Sequence, residues 1–254
     1  MEQRRRYKNP PIEEAICEFH FSPGQEWDFT IPGKLHTELS GDYAGKPQEQ
    51  KVVQVGLETQ GGKPPNLRYG EGLAKVKLVT EDGKRMIGVG PDVLSIHILR
   101  PYQYTIDGGW DEFYPRIKTA VAAYWKVSEP RAVSRIGIRY INKIVIPQKT
   151  VKVEDYLECA LPNISGLPDH IGSFMSRVEY NYQDNVQLII LQGSIETPPN
   201  TVGFLLDLDV IWQDAEPIKR EDALTKVNEL REREREAFEA VITDKARDLF
   251  DAFD

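Results

Sequence analysis

Ser134-Arg-Ile-Gly-Ile-Arg-Tyr-Ile-Asn-Lys-Ile-Val-Ile146 places Ile136, Ile138, Tyr140, Ile144 and Ile146 on one side of an extended chain and Arg135, Arg139 and Lys143 on the other. A strand patterned this way buries one face and leaves the other to water, to a partner or to cross-strand pairing, as antiparallel sheets do. Residues 202–212 follow the same rule. There Phe204, Leu206, Leu208, Val210 and Trp212 share a face opposite Leu205, Asp207, Asp209 and Ile211. In 173–182, Phe174, Val178, Tyr180 and Tyr182 oppose Arg177 and Glu179. Residues 186–191 are nearly all apolar and read as a central strand, covered on both faces.

Working outward, the second half reads as a strand over 133–146, a short helix over 153–161 ended by Pro162, strands over 173–182, 186–196 and 202–212, and one long helix over 219–253. The first half follows the same order. It opens with a strand over 12–21, where Glu14, Glu18 and His20 share a face, and a helix over 31–39 with Pro32 near its start. Strands over 52–58, 73–80 and 85–89 come next, the last two joined by the hairpin signal Glu81-Asp-Gly-Lys84. Residues 93–99 extend or repeat the final strand. A helix over 110–127 then carries Trp110, Phe113, Ile117, Val121 and Tyr124 at helical spacing. Both halves, 1–131 and 132–254, thus predict a β-α-β-β-β-α unit. The expectation is an α+β fold built by duplication, with a curved antiparallel sheet and helices on one face. Such an arrangement resembles the TATA-binding-protein-like or helix-grip folds, which leave a concave sheet face open.

The chain has 254 residues, 32 Lys and Arg against 40 Asp and Glu, and a formal net charge of −8. That balance disfavours a protein whose work is gripping nucleic acid phosphates. No run approaches the ~20 apolar residues of a membrane span, and the basic start runs into Asn9-Pro10-Pro11 without the apolar core of a signal peptide. A cytoplasmic protein is expected, with Cys17 and Cys159 as reduced, buried thiols. No CxxC, HExxH or GxSxG occurs. His20, His36, His97 and His170 are scattered, so neither a metal nor a cofactor is expected.

Asp207 and Asp209 stand on one strand face about 7 Å apart. With Glu179 they offer a carboxylate set for a divalent cation; alternatively they pair with Arg135, Arg139 or Arg177, and the basic stripe has the right length for that. Gly137 lies between two arginines and leaves a gap for a ligand or a partner's backbone. Asn142 interrupts an apolar stripe and needs a buried partner. Gly70-Glu-Gly72 looks like a phosphate loop but is set before a strand, without the Gly-Lys-Ser/Thr ending. Tyr102, Tyr104 and Trp110 surround Asp107-Gly-Gly109, as a contact site or as a cap on the core. Glu229-Leu-Arg-Glu-Arg-Glu-Arg-Glu236 interrupts the apolar stripe of the last helix, which reads either as a solvated segment or as a helix projecting to meet a partner.

Asn9-Pro-Pro-Ile-Glu-Glu-Ala-Ile-Cys-Glu-Phe-His-Phe21, Val89-Gly-Pro-Asp-Val-Leu-Ser95, the Trp110, Phe113 and Ile117 helix, Arg135-Ile-Gly-Ile-Arg-Tyr-Ile-Asn-Lys-Ile144 and the Ile-Thr-Asp-Lys within 238–250 together resemble a sporadically distributed family of uncharacterised prokaryotic proteins of this size. The patchy occurrence of that family resembles that of defence or toxin–antitoxin cassettes, and it implies no catalytic residue. The residues themselves point to a non-enzymatic binding or regulatory protein that works through a protein partner or a homo-oligomer. A small-ligand or nucleotide binder using the open face is the alternative. The surface to inspect is Arg135, Arg139, Lys143, Arg177, Asp207 and Asp209.

Overall fold

The computed structural model describes residues 5–24, 26–58, 66–102, 108–159, 161, 165–166 and 172–253, with backbone alone for 50–58 and 66–74. Among the described residues the order is β1 (Ile12–Ser22), α1 (Ile31–Leu39), β2 (Gln48–Glu58), β3 (Asn66–Val79), β4 (Arg85–Gly90), β5 (Val93–Leu99), α2 (Trp110–Ser128), β6 (Ala132–Ile146), β7 (Met175–Asn181), β8 (Val186–Ile195), β9 (Val202–Ile218), α3 (Arg220–Val241) and α4 (Asp244–Phe250). The strands form one antiparallel sheet in the order β2-β3-β4-β5-β1-β6-β9-β8-β7. The fold is α+β, with a curved, open sheet.

Alternation sorts the sheet into two faces. Ala15, Cys17 and Phe19 on β1 stand opposite Ile98, Ile96 and Leu94 on β5 and opposite Tyr140, Ile138 and Ile136 on β6. The same face continues through Trp212, Val210, Leu208 and Phe204 on β9, and all of these residues are buried. The helices cover it: α2 contacts β5, α3 contacts β6 and β9, and α1 lies on α2. Phe21 stacks on Tyr124 of α2 at 4.6 Å between ring centroids and meets Trp125 edge-on. One hydrophobic core runs continuously from β3 to β8, drawing on both halves of the chain. Burying aromatic side chains of this size is worth about 1.5–3 kcal/mol each.

Local chemistry explains most of the boundaries. Gly83 turns the β3–β4 hairpin at φ +69°, while the Asp82 carboxylate accepts from Lys84 N–H and the Thr80 hydroxyl. Asn185 makes the β7–β8 turn at φ +60°, a conformation that Asn tolerates better than most residues.

Four readings of the sequence need correction. The stretch 93–99 is a separate strand, β5, so the first half has one strand more than the expected unit. β3 begins at Asn66, which places Gly70 and Gly72 inside a strand instead of before it. Residues 186–191 belong to β8, one place in from the sheet edge and not at its centre. The fourth correction links two segments. The helix expected over 153–161 is a 3₁₀ turn at Val153–Asp155, and the long C-terminal helix breaks at Ile242. Leu157 and Ile242 form an isolated antiparallel bridge, with Glu158 N–H donating to Val241 O and Thr243 N–H to Tyr156 O. Each segment holds the other extended. Thr243 then caps α4, its hydroxyl accepting from Ala246 N–H.

Candidate functional site

The face opposite the helices carries charge across the middle of the sheet. Following the strand register, one row across that face reads Lys77, Gly88, Ser95, Glu18, Gly137, Ile211, Gln187. The next reads Met86, His97, Ile16, Arg139, Asp209, Ile189, Glu179. A third has Glu14, Ile141, Asp207, Leu191 and Arg177.

Glu18 is the hub of the first-half side. It accepts from His20 Nε2 at 2.9 Å, Arg135 at 2.9 Å and Lys75 Nζ at 3.3 Å. Lys75 stands on β3, and two strands separate β3 from β1. On a flat sheet that offset is about 14 Å, so the contact reports the inward curl of the sheet. Small residues on the intervening strands, Gly88 and Gly90 on β4 and Ser95 on β5, keep the path open; a Cβ on Gly88 would stand 2.5 Å from Ser95 Oγ. Burial alone would raise the Glu18 carboxyl, but the His20 hydrogen bond and the Lys75 and Arg135 charges outweigh it and hold it well below the usual carboxylate range. Nearby, His97 Nδ1 lies 2.7 Å from Glu14 Oε1 and Nε2 lies 2.9 Å from Ser95 Oγ. A carboxylate only accepts, so Nδ1 donates to Glu14.

On the second-half side Arg139 grips Asp207 with two hydrogen bonds, at 2.8 and 2.6 Å. Register sets Arg139 directly opposite Asp209, yet its guanidinium reaches diagonally to Asp207. Asp209 is left half-buried with Ile189 opposite and Ile211 beside it on the same face, and among the described residues no group donates a hydrogen bond to it. Desolvation pushes its carboxyl up to about 6, with Arg139 and Arg135 opposing and Asp207 and Glu18 adding to the rise. An acceptor at the middle of an open face thus has no donor among the described residues and is left to water.

The six residues singled out from the sequence separate into three groups. Arg135, Arg139, Asp207 and Asp209 come together at the sheet centre. Lys143 lies on the same face at the next register step, beside Leu205, and no described side chain pairs with its ammonium. Arg177 is on the edge strand β7, ion-paired to Glu179. Arg135 turns to Glu18 instead of to either aspartate. The gap at Gly137 is narrow, because a Cβ there would meet Asp209 Oδ1 at 3.6 Å and the Arg135 guanidinium at 3.9 Å. Glu18, Lys75 and His97 were not singled out. The alternation of β1 displays Glu18, but its reach to Lys75 depends on curvature. Among the described residues no group of three His, Cys, Asp or Glu side chains has the geometry to hold a metal ion.

The other candidates fall into the core or outside the described residues. Cys17 is fully buried on the helix face, where desolvation raises its thiol, and Cys159 is half-buried; both are free. Tyr102 is buried with its hydroxyl 2.9 Å from that of Tyr140, and Trp110 packs on Phe113 and Tyr114. Tyr104, Asp107 and His170 lie outside the described residues. The charge run of the last helix neither faces water throughout nor projects. Arg231 and Glu234 are 6% and 3% exposed and ion-paired at 2.5 Å, with the Arg231 guanidinium 4.7 Å from the Tyr140 ring centroid and 5.6 Å from that of Trp110. Burial pushes the Glu234 carboxyl up, against the pull of Arg231 and Arg235. The cavity beside them is about 30 Å³, bordered by Tyr7, Pro11, Tyr140, Asn142 and Phe238. That is about a tenth of what a small-molecule site needs. Asn142 donates to Leu206 O and Tyr140 O, so its interruption of the apolar stripe is partly satisfied by the neighbouring strand.

No protein-family model matches the chain, and no curated protein matches it.

Proposed function

We propose that this is a non-enzymatic binding or regulatory protein whose open sheet face receives a protein segment. Asp209 carries the reading. A half-buried carboxylate with no donor is costly when ionised, and a ligand that brings an N–H or an ammonium to it recovers that cost. The neighbouring charges are already committed, Arg139 to Asp207 and Arg135 to Glu18. They fix the walls of the site and leave the Asp209 carboxylate as its open acceptor. A role in an accessory cassette of the defence or toxin–antitoxin type is compatible with such a subunit. The proposal extends to the origin of the fold: strand order runs outward from the β1·β6 pair through β5 and β4 on one side and β9 and β8 on the other, which supports a duplicated unit related to the TATA-binding-protein-like or helix-grip type.

Selection from a random displayed-peptide library tests the function. Peptides bearing Lys or Arg are expected, bound at least tenfold more weakly by Asp209→Lys than by the wild-type chain. Peptides that bind both chains equally would remove the site. The nucleotide alternative is tested on the same protein by thermal shift against a nucleotide panel. A ligand at 100 times its Kd adds about 2.7 kcal/mol. A shift abolished by Arg135→Ala with Arg139→Ala would replace the protein-contact reading.

A further inference from the structure

Among the described residues the sheet ends at β7, whose sole strand neighbour is β8. Phe174 O accepts from Ser194 N–H, and Tyr182 N–H donates to Val186 O. The even-numbered residues of this strand therefore turn their backbone groups inward to β8. In an antiparallel ladder the alternate residues turn outward, so Met175, Arg177, Glu179 and Asn181 present N–H and C=O groups along the edge that no described residue pairs with.

Edges are ordinarily protected by charged side chains, Lys above all, by Pro, by a bulge or by a cover; the charges here, Arg177 and Glu179, are paired with one another. Residues 175–181 contain neither Lys nor Pro, and their pairing with β8 has no register shift. Large apolar side chains are also exposed along the strand and its end: Met175 is 77%, Tyr180 53%, Val178 43% and Tyr182 41% exposed. Among the described residues the strand is thus open along its backbone and apolar on its helix side, where Arg233 of α3 covers Tyr182.

We infer that β7 pairs antiparallel with β7 of a second copy of this chain, about a two-fold axis at Val178, joining two sheets into one. Charge selects both the occupant and the register. Outward-facing residues must pair with outward-facing residues, so each permitted self-pairing is centred on a residue. Centring on Arg177 or on Glu179 sets that charge against its own copy, which is unfavourable across an antiparallel pair. Centring on Val178 sets Arg177 of each copy opposite Glu179 of the other, Met175 opposite Asn181, and Val178 against itself. That register also overlaps the whole strand. Each outward-facing pair then exchanges both of its backbone hydrogen bonds. The Asp209 site is on different residues and stands or falls separately.

Sedimentation velocity on the full chain over a concentration series tests the proposal. The expected result is a reversible dimer of twice the chain mass. Arg177→Glu and Glu179→Arg should each raise the dimer Kd about tenfold or more, because like charges then face one another twice across the axis. The double variant, Arg177→Glu with Glu179→Arg, restores the cross-axis pairing and should return the Kd to within about threefold of wild type. A chain monomeric at every concentration overturns the proposal. So does a dimer indifferent to both single reversals, or a double variant no tighter than the singles; a complex formed with an added edge-strand peptide in place of a dimer would assign the edge to another partner.

Discussion

Two clusters of mixed charge sit on opposite sides of this sheet and behave differently. On the open face, Arg139 and Asp207 pair with the guanidinium side 42% exposed and the carboxylate 6% exposed. Under α3, Arg231 and Glu234 pair with both partners buried. Water can still reach the first pair, and it screens the attraction and softens the loss of either partner. The second pair has paid full desolvation on both ions, and the faces of Tyr140 and Trp110 replace part of the lost hydration. Charge count does not distinguish the two; burial does.

The contrast is broken most easily at the buried pair. Glu234→Ala should cost about 3–5 kcal/mol of stability, since it removes the carboxylate paired with a buried guanidinium, whereas Arg231→Met combined with Glu234→Leu should recover most of that loss. Urea unfolding of the single and double variants measures both. A single-variant loss below about 1 kcal/mol would mean the pair is as solvated as the one on the open face.

Asp209 comes next. Its folded-state pKa lies above the unfolded value, so the folded chain holds this proton more tightly and stability falls as pH rises from about 4 to about 6. Asp209→Asn should therefore stabilise the protein at pH 8 by about 1–2 kcal/mol, after allowance for the part of the carboxyl that water reaches, and the gain should vanish near pH 4. Thermal unfolding of both chains across that range decides it; a gain that is flat with pH would show an unshifted carboxyl.

The smallest effect belongs to the solvent-facing pairs. A double-mutant cycle on Arg139 and Asp207 should return a coupling of about 1 kcal/mol, and one on Lys75 and Glu18 less than about 0.5 kcal/mol, both decreasing with salt. Equal couplings, unmoved by salt, would place the open face in the same dielectric class as the α3 pair.

Much of the fold was legible in the chain. The alternation in Ile136 to Ile146 and Phe204 to Trp212 named the buried face residue by residue, and the helical spacing of Phe113, Ile117, Val121 and Tyr124 named the face of α2. The failures share a cause. Residues 153–161 and 219–253 look helical because their apolar residues recur at helical spacing, yet Leu157 and Ile242 are drawn into a bridge with one another across more than eighty residues of chain. The charge run of α3 read as solvated or projecting because Arg and Glu are costly to bury. That cost is met by an aromatic pair contributed by α2 and β6. For the candidate site, the strand faces of Arg139, Asp207 and Asp209 followed from period two, but the choice of Asp207 over Asp209 as the partner of Arg139 did not.

Sequence by itself determined which side of the alternating strands is apolar, because a period of two leaves such a strand no other way to bury its apolar half. It likewise determined the β3–β4 turn, where Gly83 is free to adopt a positive φ. Tertiary structure alone decided which charges meet. The curl that brings Lys75 to Glu18, the diagonal reach that leaves Asp209 without a donor, and the packing that hides Arg231 with Glu234 each depend on the position of distant strands. Electrostatic energy depends on distance and dielectric, and neither is written in the order of residues.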